Sequence, residues 1–88
     1  MLRTWCGAAD LAKSLRSRRH RALLAVLVGS RKEAGLTQRA LAAKMKRPQS
    51  FIAATETGER RLDVVEFFEV AAALGVEPMA LFERVARW

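Results

Sequence analysis

The sequence has little of the chemistry that many enzymes and secreted folds need: one cysteine, one histidine and no tyrosine. A lone Cys6 cannot close a disulfide within the chain, so a disulfide-stapled secreted fold is excluded and a reducing cytoplasm fits. Cys6 and His20 together cannot supply a four-ligand zinc site, and neither a metal nor another cofactor is expected. No glycine-rich phosphate loop occurs and neither residue has a recognisable catalytic neighbour, so the chain does not read as an enzyme. Long apolar runs are missing too. The longest, Ala22 to Val28, has seven residues, whereas a hydrocarbon core needs about 20. A secretory leader would need an n-region containing Asp10, and Gly29-Ser30-Arg31-Lys32 follows the run in place of an Ala-x-Ala site. The run reads as buried turns of a helix, and no membrane span is expected.

What is present is a chain of 88 residues, 51% of them hydrophobic. That suffices for one small packed domain. A chain this short buries only about 60–65% of its unfolded surface, so added stability from a second subunit is expected. Acidic residues are outnumbered, nine to sixteen, for a net charge of +7. The imbalance is uneven. Residues 1–21 carry six basic side chains and one acidic, residues 22–61 eight and three, and residues 62–88 two and five. A basic front and an acidic back point to a polyanion on one face. Nucleic acid is the leading candidate; an anionic membrane surface is the other, since a basic amphipathic segment there predicts a similar composition.

Apolar spacing predicts helices throughout and no strands. Residues 1–16 are weakly patterned and read as a basic arm, or a short helix capped by Asp10, ahead of a domain over 17–88. Ser17 is an N-cap candidate for a first helix whose stripe is Leu23, Leu24, Leu27 and Val28, stopped by Gly35. Thr37 caps a short second helix containing Ala40, Leu41 and Met45. Lys46-Arg47 make a tight turn, and Pro48 suits the first position of a third helix running to about Glu56 and closed by Gly58. Asp63-x-x-Glu66 reads as a capping box ahead of Phe67, Val70, Ala71 and Leu74. Gly75 stops that helix, and Glu77-Pro78 start a fifth with Leu81, Phe82 and Val85 on one face. His20, among arginines, is expected in solvent or facing DNA.

Two short helices separated by a tight turn outline a helix-turn-helix over residues 37–56. The ordered set Arg31-Lys32-Glu33-Ala34-Gly35-Leu36-Thr37-Gln38, Ala40-Leu41-Ala42, Pro48-Gln49-Ser50-Phe51-Ile52, Glu56-x-Gly58-Glu59-Arg60-Arg61 and Ala73-Leu74-Gly75-Val76-Glu77-Pro78 resembles the XRE family, the Cro or phage-repressor-like regulators. The resemblance covers about residues 20–85. It implies an all-α, five-helix repressor-like fold, sequence-specific DNA binding and a recognition helix over 48–56 whose first side chains meet base edges. Gln49 then looks like the main base reader, since its amide can pair bidentately with adenine. Ser50 joins it, and Ala53 and Ala54 can touch thymine methyls. Thr37, Gln38, Arg39, Lys46, Arg47, Thr57, Arg60 and Arg61 would hold phosphates. Arg31 and Glu56 would form a structural ion pair. Two positions invite scrutiny. Thr55 puts a hydroxyl in a core position, where it can bond its own i−4 carbonyl. Lys46 stands where a left-handed turn would strain it.

Met79, Phe82, Val85 and the terminal Trp88 form an apolar stripe on the last helix, while Leu81 faces the core. The preferred reading is a homodimer interface, giving a repressor on an inverted-repeat operator, cytoplasmic and of prokaryotic or phage type, with no small-molecule ligand evident. The alternative is an antitoxin-type module whose stripe binds a protein partner such as a toxin, with a polymerase subunit a further candidate for that contact.

Overall fold

Four of the five helices among the described residues begin where a side chain accepts from a leading backbone N–H. The computed structural model describes residues 17–88, and among these it contains five helices and no strand. They are α1 (Arg18–Glu33), α2 (Gln38–Met45), α3 (Gln49–Thr57), α4 (Val64–Leu74) and α5 (Pro78–Arg87). Ser17 Oγ accepts from His20 N–H at 3.0 Å, and Thr37 Oγ1 from Ala40 N–H at 3.0 Å. At α4 the capping box is complete. Asp63 accepts from Glu66 N–H at 2.7 Å, and Glu66 from Asp63 N–H at 3.0 Å. Glu77 caps α5 through Met79 N–H at 2.8 Å. The exception is α3. Pro48 precedes the helix in an extended conformation with no side-chain cap. The expectation that Pro48 is the first helical residue is therefore one position off. Its ψ of 150° lies outside the helical region, and Gln49 opens the helix.

Three helix ends share one pattern. Leu36 N–H reaches back to the Arg31 carbonyl, Arg47 to Ala42, and Val76 to Ala71, at 2.9–3.1 Å. The pivot must be left-handed. It is Gly35 and Gly75 in two cases, but Lys46, at φ 58°, in the third. Gly58 closes α3, and a Cβ there would meet Leu24 Cδ1 at 3.3 Å as well as a φ of 87°.

The core draws on every helix: Ala22, Val26 and Leu27; Leu41 and Ala42; Phe51 and Ile52; Val70, Ala71 and Leu74; Leu81 and Val85. Two sequence expectations change here. The buried face of α1 is Ala22, Val26, Leu27, Ser30 and Arg31, leaving Leu23, Leu24 and Val28 half-buried. Hydrophobicity alone mispointed the helix because two polar residues are buried and satisfied. Ser30 Oγ accepts from Arg84 Nη1 at 3.0 Å, and Arg31 is paired as described below. Val85, placed on the outer stripe, is 6% exposed and belongs to the core beside Leu81. Helix α5 packs against α1 and α4, so this side chain points inward between them. The Asp10-capped helix, the 1–16 arm and Cys6 lie outside the described residues.

Candidate nucleic-acid interface

Helices α2 and α3 pack against each other across the three-residue link Lys46-Arg47-Pro48. Leu41, Ala42 and Ile52 are buried. The opposite face carries the side chains of interest. Gln49 and Ser50 are exposed at the first turn of α3, with Ala53 and Ala54 half-buried behind them. With no side-chain cap on Pro48, that turn has no side chain bonded to its leading N–H groups.

A chain of hydrogen bonds runs from the interior to this turn. The Glu56 side chain is 8% exposed and accepts from Arg31 twice, at 2.7 Å from Nε and 3.0 Å from Nη2. Arg31 Nη1 also donates to the Leu36 carbonyl at 2.9 Å. Hydrogen bonding to Glu56 holds the Arg31 guanidinium above its ordinary pKa. Gln38 Nε2 donates to Glu56 Oε1 at 2.8 Å, and Gln38 Oε1 accepts from Gln49 Nε2 at 2.8 Å. A carboxylate can only accept, so Glu56 dictates which way the Gln38 amide points. Gln38 in turn fixes Gln49. The Gln49 amide keeps its oxygen and a second N–H, the pair that a bidentate contact with adenine requires. Gln38 is therefore tied to Glu56 and Gln49 in this arrangement, beside the helix end where a phosphate contact was expected.

The cations around the motif fall into two groups. Arg39, Lys46 and Arg61 are exposed. Arg47 and Arg60, expected on phosphates, are half-buried and paired with carboxylates. Arg60 holds Glu66 with two bonds, at 2.8 and 2.6 Å, and donates to the Arg61 carbonyl. Arg47 lies 3.0 Å from Glu69 and 3.7 Å from Glu66. Both guanidinium carbons sit over the Phe51 ring, 4.5 and 4.3 Å from its centroid. Hydrogen bonding from Arg60 is the main cause that brings Glu66 down to about 2, helped by the Asp63 N–H and the two arginine charges. Sequence reasoning assigned Glu66 to capping alone. No residue spacing signals that one carboxylate serves a helix cap and two arginines from other segments.

The hydroxyls are partly engaged. Thr37 Oγ1 accepts within its own helix cap, and Thr57 donates to the Ala54 carbonyl at 3.2 Å. Thr55 donates to the Phe51 carbonyl at 2.8 Å, which satisfies its buried hydroxyl. His20 corrects another expectation. Its Nε2 is buried without a partner near Gly58, and burial followed by the charge of Arg61 lowers its pKa.

A helix-turn-helix family profile matches residues 30–81, more than half of the chain. The chain is an XRE-type helix-turn-helix protein. Among solved structures it is similar to an XRE-family-like protein from Pseudomonas syringae pv. tomato, at 42% identity and a TM-score of 0.79, over 89% of this chain and 95% of that one. It is also similar to the restriction-modification controller protein C.Esp1396I, whose structure as a tetramer with its natural 35-base-pair operator matches at 25% identity and a TM-score of 0.75, over 82% and 95% of the two chains. Wild-type C.Esp1396I alone gives 25% and 0.76, over 82% and 92%. No curated protein matches the sequence. XRE-type proteins are DNA-binding transcription regulators, and in this one the motif's second helix is α3.

The rest of the XRE domain carries a second surface. Val64, Val65 and Phe68 on α4, Met79 and Phe82 on α5, and Trp88 just after it are exposed apolar side chains. Phe67 packs edge-on against both Phe68 and Phe82. Val64, Phe68, Met79 and Phe82 line an apolar groove of about 660 Å³ that extends to His20 and Leu23. Of the four residues expected on the outer stripe, Met79, Phe82 and Trp88 are exposed and Val85 is not. Among the described residues no helix is long and apolar enough to cross a membrane, and no cluster of three His, Cys, Asp or Glu could hold a metal.

Proposed function

We propose that this regulator binds a specific double-stranded operator as a homodimer and acts most simply as a repressor, by occupying the site. The observation that carries this reading is the bonded series Arg31, Glu56, Gln38, Gln49, which ends on an exposed amide at the first turn of α3. Gln49, with Ser50 and the flanking Ala53 and Ala54, is assigned to bases. Thr37, Gln38, Arg39, Lys46, Thr57 and Arg61 are assigned to phosphates. A second copy of the chain is assigned to the apolar face of α4 and α5, where Met79 and Phe82 are 69% and 58% exposed. The operator-bound tetramer of C.Esp1396I supports both DNA and self-assembly for a protein of this shape. A two-fold dimer reads an inverted repeat.

Selection of bound sequences from a random duplex library tests this directly. The expected result is a palindromic motif. Gln49→Ala should then cost about 1–3 kcal/mol on that motif and little on random DNA. Tight binding with no recovered motif would remove the sequence-specific reading. It would favour the antitoxin-type alternative, in which the apolar groove receives a protein partner.

A further inference from the structure

Two arginines bracket α3, one in the turn before it and one in the loop after it. Both would be natural phosphate ligands, yet both are turned onto one carboxylate. Glu66 is 7% exposed and lies at the first turn of α4. Its two oxygens take Arg60 in a fork, at 2.8 and 2.6 Å, while Arg47 approaches at 3.7 Å and is held by Glu69 at 3.0 Å. The two arginines and two glutamates cancel in charge. Phe51 lies under both guanidinium groups and supplies a flat surface that favours their present positions.

We infer that Glu66 is a specificity-setting residue, which keeps Arg47 and Arg60 from serving as free phosphate ligands and so lowers affinity for arbitrary DNA. The inference rests on the DNA-binding reading above. Its physical basis is competition. A phosphate that captures Arg60 leaves a buried carboxylate without its forked partner, and an underpaired buried charge is strongly unfavourable. Non-specific binding is the sum of phosphate contacts, so withholding two cations lowers it directly. Specific binding adds contacts from Gln49 and its neighbours and suffers proportionately less. The salt-dependent contribution therefore falls to other cations of the motif, such as the exposed Arg39 and Lys46.

The test uses Glu66→Gln in the whole chain. Glutamine retains an oxygen to accept from Asp63 N–H, so the capping box is preserved while the charge is removed. Affinity for random-sequence duplex should rise about three- to tenfold per released arginine near 0.1 M salt. The log–log salt slope should steepen by roughly 0.9 for each. The ratio of operator to random-DNA affinity should fall. Glu83→Gln removes the same charge from α5, where Glu83 pairs with Arg87, and is the control for net charge. Glu69→Gln covers the case in which Glu66→Gln does not fold. Glu69 makes no capping bond, and its loss should steepen the slope by less than one contact's worth. If both variants match the Glu83→Gln control in slope and random-DNA affinity, the inference is overturned while DNA binding stands. An unchanged slope with weaker binding to every sequence overturns it too, because Glu66 would then only support the fold. Absence of any duplex binding by the unaltered protein overturns the DNA reading and this inference together.

Discussion

Lys46 shows how far one residue can be read, and what its position costs. A left-handed backbone is unfavourable by about 1–2 kcal/mol for a residue with a Cβ. At the other two pivots of this kind the chain uses glycine. Lys46→Gly should relieve the strain, partly offset by glycine's greater freedom in the unfolded chain, for a net gain of about 0.5–1 kcal/mol. In a domain of this size that is a rise in Tm of a few degrees. Calorimetry checks the gain, and the salt slope of duplex binding checks whether the lysine also met a phosphate. Stability up with slope unchanged would mean the lysine serves neither purpose at its ammonium. The strained position was legible from the family resemblance, in which glycine often occupies that turn. So was the fate of Thr55, since a helical threonine with a buried hydroxyl has one obvious acceptor, four residues back. The fate of Arg60 was not legible. Its charge reads the same in sequence whether it faces solvent or Glu66.

At the scale of elements, caps and stops were the most readable features because they are local. Ser17, Thr37, Asp63 and Glu77 each bond within three residues, so spacing alone fixes them. The face of α1 was less readable, since Ser30 and Arg31 are buried by partners on α5 and α3. Glu66 combines both cases, a local cap and a distant ion pair, and this has a pH consequence. Its pKa is about 2 in the folded protein, against an ordinary value of 4.5. A depressed carboxylate stabilises the fold fully above its unfolded pKa. That contribution is lost as pH falls from about 4.5 towards 2. Urea midpoints measured from pH 6 down to 2 should therefore decline through this window, and Glu66→Gln should flatten the decline. A variant curve parallel to that of the unaltered protein would place the acid sensitivity elsewhere.

At the scale of the whole molecule, the basic and acidic halves of the sequence map onto different duties. The helix-turn-helix and its flanks carry the positive charge, and α4 and α5, counted with their N-caps Asp63 and Glu77, carry five acidic residues together with most of the exposed apolar side chains. The fold class was legible because helical periodicity and caps agreed along the chain. The apolar face was only half legible. The last helix announced Met79 and Phe82, but Val64, Val65 and Phe68 on α4 gave no sign of joining them, since packing of two helices decides which faces meet. If this face joins two copies, a charge at its centre should separate them. Met79 is 69% exposed and makes little contribution to its own core, so Met79→Lys should leave the protomer's melting curve nearly unchanged. Across a two-fold axis the same substitution sets two like charges near each other in an apolar contact, an arrangement that desolvates both without pairing either. Sedimentation equilibrium should then report a monomer. Binding to a full palindrome should weaken far more than binding to a single half-site, because only the dimer engages both halves at once. An equal loss on both sites would mean that this face does not join the two copies that read the operator.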